Sequence, residues 1–219
     1  MAHSQVLIAL LFGKKLNTDK MEFGLMLSPT LSNLTNMDCK PRLGLGIALY
    51  FNIKLSQNFF FHPELSPKAV FGAKDITPYA TGTPSVDGIY LNNTDASVQR
   101  TIKGMSMPLL MRYRIKGLLF AELGPQADLM FQPKDIFKTK IDGNPISYTT
   151  KIKDDVALFD IGVSAGLEYK LKKDKGMGIS VRYYYGLTDV ITNLSGSQKN
   201  TAWYFNVSIP IGVGSQKQQ

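Results

Sequence analysis

The 219-residue chain lacks the features that would announce most protein classes. It has no uninterrupted apolar stretch of the ~18 residues that a transmembrane helix requires. Charged residues make up 19% and mean hydropathy is −0.06, too polar an average for a bundle of membrane helices. One cysteine, Cys39, permits no internal disulfide and no thiolate zinc site. Two histidines, His3 and His62, exclude a multi-histidine metal centre. Walker-type loops, dinucleotide fingerprints and metalloprotease helices are absent from the sequence, and neither cofactor nor metal is expected.

Acidic residues are also outnumbered: the net charge is +8 and the pI about 9.4. A nucleic-acid binder concentrates such charge in a stripe or a motif. Here it is spread over turns and loops, at Lys14-Lys15, at Lys172-Lys173 and from Lys134 through Lys153. No nucleic-acid partner is expected. Solvated loop charge is the primary reading, and attraction to anionic lipid or lipopolysaccharide the secondary one.

What the sequence has in abundance is alternation, the signature of strands with two unlike faces. In the last segment the odd positions are Trp203, Phe205, Val207, Ile209, Ile211 and Val213, opposite Ala202, Tyr204, Asn206, Ser208, Pro210 and Gly212. Similar segments run over Phe23–Leu31, Leu43–Leu55, Phe59–Phe71, Met107–Ile115, Leu119–Phe131, Phe159–Leu171 and Met177–Leu187. Eight candidates result, each near the ~9–11 residues of a tilted membrane strand. Their connections alternate. Short links lie at 56–58, 116–118 and 172–176, and longer ones at 35–42, 73–101, 132–155 and 191–200. Membrane barrels have tight turns on the periplasmic side and larger loops outside. The expected fold is therefore all-β: an eight-stranded antiparallel up-and-down transmembrane barrel with a short N-terminal periplasmic segment. The divisions are 1–20 for that segment, 21–213 for the barrel and 214–219 for a polar tail.

Parity supports a single lipid face, because a one-residue slip turns every side chain over. Pairing Ile115 with Leu119, Leu55 with Phe59 and Leu171 with Met177 keeps apolar residues together. The polar face is rich in Gly, Ser and Ala, as a crowded lumen would be, while a water-facing exterior would be dense in Lys and Glu. Six prolines inside strands (29, 63, 67, 108, 125 and 210) oppose the reading, since each removes a ladder hydrogen bond. Bulges or ends of pairing are expected at some.

A narrow lumen is filled by side chains and calls for paired charges. The candidate interior cluster is Glu64, Arg112, Glu122, Asp128, Asp160, Glu168 and Arg182. The turns place Arg112 opposite Glu122, and Glu168 diagonal to Arg182. His62, Glu64 and Ser66 share the inward face, but three such residues on one strand span ~13 Å and cannot form a triad alone. A histidine held by a carboxylate is the expectation, and no catalytic residue is assigned. Phe59, Phe61, Phe131, Tyr169, Trp203 and Phe205 are candidates for aromatic girdles, or simply reflect β-propensity.

The segment Gln5 to Leu25 (QVLIALLFGKKLNTDKMEFGL), followed by Ser32-Asn33-Leu34, resembles the start of PorT-like outer-membrane β-barrel proteins of Bacteroidetes-type bacteria. Phe159–Tyr169 (FDIGVSAGLEY) and Gly178–Leu187 (GISVRYYYGL) are similar to that family's closing strands. The resemblance implies export to the outer membrane of a Gram-negative cell envelope. Some members of that family serve protein secretion and gliding. Val6 to Phe12 has its positive charge after the apolar run, the reverse of a signal peptide. A mature segment is expected, its signal peptide removed. It would tuck against the barrel base or bind a partner. The polar C-terminus departs from the family's pattern, which ends on an aromatic residue.

The sequence leaves three functions open. One is a structural or accessory barrel, monomeric, embedded in outer-membrane lipid and lipopolysaccharide, with other envelope or secretion proteins as candidate partners. The others are a lipid-acting barrel enzyme and a soluble lipocalin-like barrel with an apolar ligand.

Overall fold

The computed structural model describes residues 17–172 and 176–211. The runs Val6–Phe12 and 214–219 lie outside the described residues.

Eight long strands close into a ring. They are β1 (Met21–Leu34), β2 (Lys40–Lys54), β3 (Phe59–Phe71), β5 (Ser97–Lys116), β6 (Leu119–Ile141), β8 (Phe159–Lys170), β9 (Gly178–Gly186) and β10 (Asn200–Pro210). Each pairs antiparallel with its neighbours, and β1 pairs with both β10 and β2, which leaves no free edge. Two further strands stand off the ring: β4 (Ala73–Lys74) on β2 and β7 (Asn144–Lys151) on β6. A short helix, α1 (Pro84–Tyr90), lies in the connection before β5. This is the all-β up-and-down barrel that the alternation predicts.

In the lower barrel, even-numbered residues point inward and are buried while odd-numbered ones point outward. The outward set is apolar, including Leu27, Met107, Leu123, Ile161, Leu167, Val181 and Phe205. The inward set is polar, the reverse of a soluble core. Aromatic side chains gather near both ends of the outward face. Phe59 packs on Tyr113 near the short turns (centroids 5.0 Å apart), and Tyr183 on Trp203 toward the long connections (4.8 Å).

The prolines are accommodated by a simple rule. A strand residue's N–H points to one neighbouring strand only, so a proline interrupts one ladder and leaves the other intact. Pro29 keeps its place opposite Leu45 of β2, while the pairing with β10 skips from Leu27 to Thr30. Pro63 stays opposite Leu109 of β5, while the pairing with β2 is broken there. Pro125 stays opposite Val163 and interrupts the ladder to β5. Pro67 lies in a bulge between Ser66 and Ala69, and Pro210 ends β10.

Two of the three short-turn registers are as expected: Leu55 N–H donates to Phe59 O, and Leu171 N–H to Met177 O. The third keeps its expected register from Arg114–Phe120 onward and departs only at the turn. Lys116, not Ile115, faces Leu119, because an irregularity between Arg114 and Lys116 takes up one residue before Gly117 turns at φ +58°.

The larger departure lies beyond the lipid belt. Residues expected as loops, 73–101 and 132–155, continue the sheet: β5 begins at Ser97, β6 runs to Ile141, and β7 returns across the two-residue turn Asp142-Gly143. Phe131 is a bulge residue, since Gly104 faces Met130 and Lys103 faces Gln132. After it, inward residues of β6 become odd-numbered: Asp135, Phe137 and Thr139 are buried. A bulge adds one residue to one strand and so exchanges its faces, which ends the sequence alternation at that point.

Candidate functional site in the barrel lumen

Lumenal side chains are stacked in layers fixed by strand register. Nearest the short turns, Lys170 Nζ on β8 donates to both oxygens of Glu22 on β1, at 2.7 and 2.8 Å. Tyr50 OH donates to Glu22 Oε1 at 3.2 Å, and its ring covers Gly24, where a Cβ would come within 2.6 Å of the ring. Only glycine lets that ring lie flat on the neighbouring strand.

The central layer holds the charges. Arg182 Nε donates to Glu122 Oε1 (2.7 Å), while Nη1 and Nη2 donate to Glu64 Oε2 and Oε1 (2.9 and 2.6 Å). Arg112 Nε donates to Glu122 Oε2 at 2.8 Å, and its Nη1 lies 2.6 Å from Glu168 Oε2. Ser208 Oγ donates to Glu168 Oε1, and His62 Nε2 sits 2.8 Å from Glu64 Oε1. All of these side chains are almost fully buried. Buried charges need such pairing, since an unpaired one costs several kcal/mol. Arg112 does face Glu122 in register. The diagonal Glu168–Arg182 contact is replaced: Arg182 reaches across the lumen instead, and Arg112 takes Glu168. A neighbour two residues along an adjacent strand is in reach, but a long guanidinium can satisfy two carboxylates only by bridging between strands.

Above lies a polar layer. Gln126 Nε2 donates to Asp128 at 3.1 Å, Ser164 Oγ donates to Gln126 Oε1 at 2.8 Å, and Asn200 Nδ2 donates to Asp160 Oδ2 at 2.8 Å. Asp128 stands opposite Asp160 in register. These two aspartates belong to the predicted cluster, yet they form this separate layer. Glu22, Lys170, Gln126 and Asn200 also face the lumen and lie outside the predicted set. Glu22 sits one residue before the first expected strand, and continuing its even parity downward would have included it.

An apolar cap closes the outer end. Phe71, Ile76, Val98, Ile102, Phe137 and Ile191 form one buried cluster with parts of 187–199. The Phe137 ring packs against Tyr79, Tyr90 and Tyr148, with centroids 5.2, 5.6 and 6.3 Å away. Within it Arg100 Nε and Nη2 hold Asp135, and Tyr79 OH donates to Asp135 Oδ2 at 2.7 Å. Burial, then the hydrogen bond to this carboxylate, pushes the Tyr79 phenol up from its ordinary pKa.

The inward line His62, Glu64, Ser66 is no triad: Ser66 Oγ donates to the Ile47 carbonyl at 3.1 Å. Among the described residues no three metal-ligating side chains are grouped to hold an ion.

A closed eight-strand ring with an apolar outside and a charged inside matches a known family model, the outer membrane protein beta-barrel domain, over residues 14–192. The chain belongs to that family. This outer-membrane barrel therefore meets lipid with its apolar band, and the soluble lipocalin-like alternative falls away. No curated relative matches the chain. Among solved structures it is similar to Ail of Yersinia pestis at 13% identity and TM-score 0.45, covering 89% of this chain and 100% of that one. It is also similar to Neisserial surface protein A at 9% identity and TM-score 0.44, covering 85% and 96%. A third is OprG of Pseudomonas aeruginosa, at 13% identity and TM-score 0.35, covering 87% and 91%.

Proposed function

We propose that this outer-membrane barrel is a non-conducting, non-enzymatic accessory protein of the envelope, acting through its outer cap as a binding surface for another envelope protein. The observation that supports this reading is the bridge from Arg182 to Glu64 across the lumen, beneath a closed apolar cap. A transport path along the axis would have to break buried ion pairs and unpack aromatic rings. The polar lumen works as structural fill, which leaves the outer surface as the working part. Ile89 and Leu91, at the end of α1, are apolar and exposed there. The sequence resemblance to PorT-like proteins extends the proposal to a role alongside secretion machinery.

The reading is tested with the full chain in planar bilayers and in cells. The expected result is an absence of stepwise conductance, together with one discrete adduct from a photo-crosslinker at Leu91 and none from one at Lys172. Regular unitary currents would overturn it, as would a Leu91 probe that captures nothing but lipid.

A further inference from the structure

The sheet made by β5, β6 and β7 above the lipid belt carries charge of one sign on its outward face. Lys103 on β5, Lys134, Lys138 and Lys140 on β6, and Lys151 on β7 all occupy outward positions. No acidic residue shares that face, because the Phe131 bulge turns Asp135 inward onto Arg100. Among the described residues none of the five lysines enters an ion pair. Lys134 stands directly opposite Lys151. Like charges so placed across an antiparallel pair repel and destabilise the sheet. Such an arrangement calls for an anion between them.

Height decides which anion. Phe131, exposed and outward, belongs to the lipid-facing band, and Lys134 is three residues further along β6, about 10 Å at strand rise. Lys103 lies the same way above Met105 on β5. The side with long connections is the outer surface of such barrels. The lysines therefore stand at the level of the headgroups of the outer leaflet. Lysine binds phosphate as a compact point charge, without the planar geometry that arginine demands.

We propose that Lys103, Lys134 and Lys151 form a binding site for the phosphates of the outer-leaflet glycolipid, which seats its headgroup on the outward face of the β5–β6–β7 sheet just above Phe131. The site is independent of the accessory role, since it concerns the lipid contact and not the apolar cap.

The test titrates the full chain, in mixed detergent micelles, with bisphosphorylated lipid A. The K134Q/K151Q double variant should bind about tenfold or more weakly, whereas K172Q, on the short-turn side, should bind as the parent does. Heat-modifiable gel mobility checks that each variant is folded. A second readout has the opposite sign. Without lipid A, K134Q/K151Q should be at least as stable to heat as the parent, because the repulsion is gone, and lipid A should raise the melting temperature of the parent alone. Unchanged affinity in K134Q/K151Q overturns the proposal, as does an equal loss in K172Q. Equal binding of dephosphorylated lipid A, or full displacement by millimolar inorganic phosphate, would remove lipid-borne phosphate as the ligand.

Discussion

Arg182 and Glu64 sit on strands at opposite points of the ring, four steps apart whichever way it is followed, and are joined by two hydrogen bonds of 2.9 and 2.6 Å. A single pair thus spans the whole lumen. It also closes the network, since Arg182 holds Glu122, which holds Arg112, which meets Glu168.

Cutting that network should be costly. Arg182→Leu leaves Glu64 with His62 alone and Glu122 with Arg112 alone, and removal of one member of a buried pair costs roughly 3–5 kcal/mol. Urea unfolding in micelles should show this loss. The double change Arg182→Leu with Glu64→Leu should recover a good part of it, because no isolated charge remains. A loss below about 1 kcal/mol for Arg182→Leu would mean that water reaches the lumen and solvates the carboxylates.

How far the sequence foretold this depends on the length scale of each interaction. Arg112 and Glu122 are linked through one tight turn, so alternation and turn length together give their register. Arg182 and Glu64 are 118 residues apart, and nothing local connects them. Their contact depends on the tilt and closure of the whole barrel. The fold was legible because lipid imposes a period of two on every strand. Legibility ended at Phe131, where the bulge exchanges faces and where polar headgroups and water, not lipid tails, lie outside. Above it the buried residues are apolar again, as Phe137 and Ile102 are, and the contrast between faces inverts. One local signal did survive in that region. Asp142-Gly143 has φ of +51° and +80°, the backbone of a two-residue hairpin turn, and Asp-Gly is among the strongest sequence marks of one.

The cap should melt separately from the barrel. Phe137 is fully buried and its ring touches three tyrosines, so Phe137→Ala removes the centre of an aromatic cluster at a cost of about 3–5 kcal/mol. Hydrogen exchange should quicken across β7 and 187–199 while the lower strands keep their protection. Uniform quickening through β8 and β9 would show instead that cap and barrel unfold as one unit.

Gly162 is where β8 yields space to the Tyr184 ring: a Cβ there would lie 2.3 Å from the Tyr185 carbonyl and 2.5 Å from Cε2 of Tyr184. Gly162→Ala should therefore disturb the β8–β9 ladder and slow the refolding of the barrel into micelles. Combining it with Tyr184→Ala should not restore the parent's stability, since the clash with the backbone oxygen remains. Full rescue by the second change would place the whole constraint in the ring.

Asp87 offers a pH handle outside the lipid. The Thr81 N–H and hydroxyl and the Gly82 N–H all donate to its carboxylate, at 2.7, 2.8 and 3.1 Å, and hold its pKa below the ordinary aspartate value. A carboxyl lowered in the folded state adds stability that is present above its unfolded pKa, about 3.9, and is lost as pH falls through the folded value. Exchange protection at Thr81 and Gly82 should thus be steady at neutral pH and fall below about pH 4. In Asp87→Ala it should be low throughout.

The bulge itself can be tested by removal. Phe131 is the extra residue between the pairs Gly104–Met130 and Lys103–Gln132, so deleting it alone leaves residues 132–141 on their present faces. Deleting Phe131 and Gln132 together turns residues 133–141 over. Asp135 and Phe137 would then face outward, while Lys134 and Lys138 would face the cap core and the Arg100 guanidinium. Buried lysines without partners cannot be accommodated there, so the three-stranded extension should lose its packing. The lower barrel, whose ladders end at Leu129 and Met130, does not depend on that parity. The double deletion should give a barrel that still shows heat-modifiable mobility, yet is cleaved by added trypsin between Lys134 and Lys153, where the single deletion and the parent resist. A double-deletion variant as resistant as the parent would mean that a new bulge forms elsewhere on β6, and that the inward placement of Asp135 is fixed by its bond to Arg100 alone.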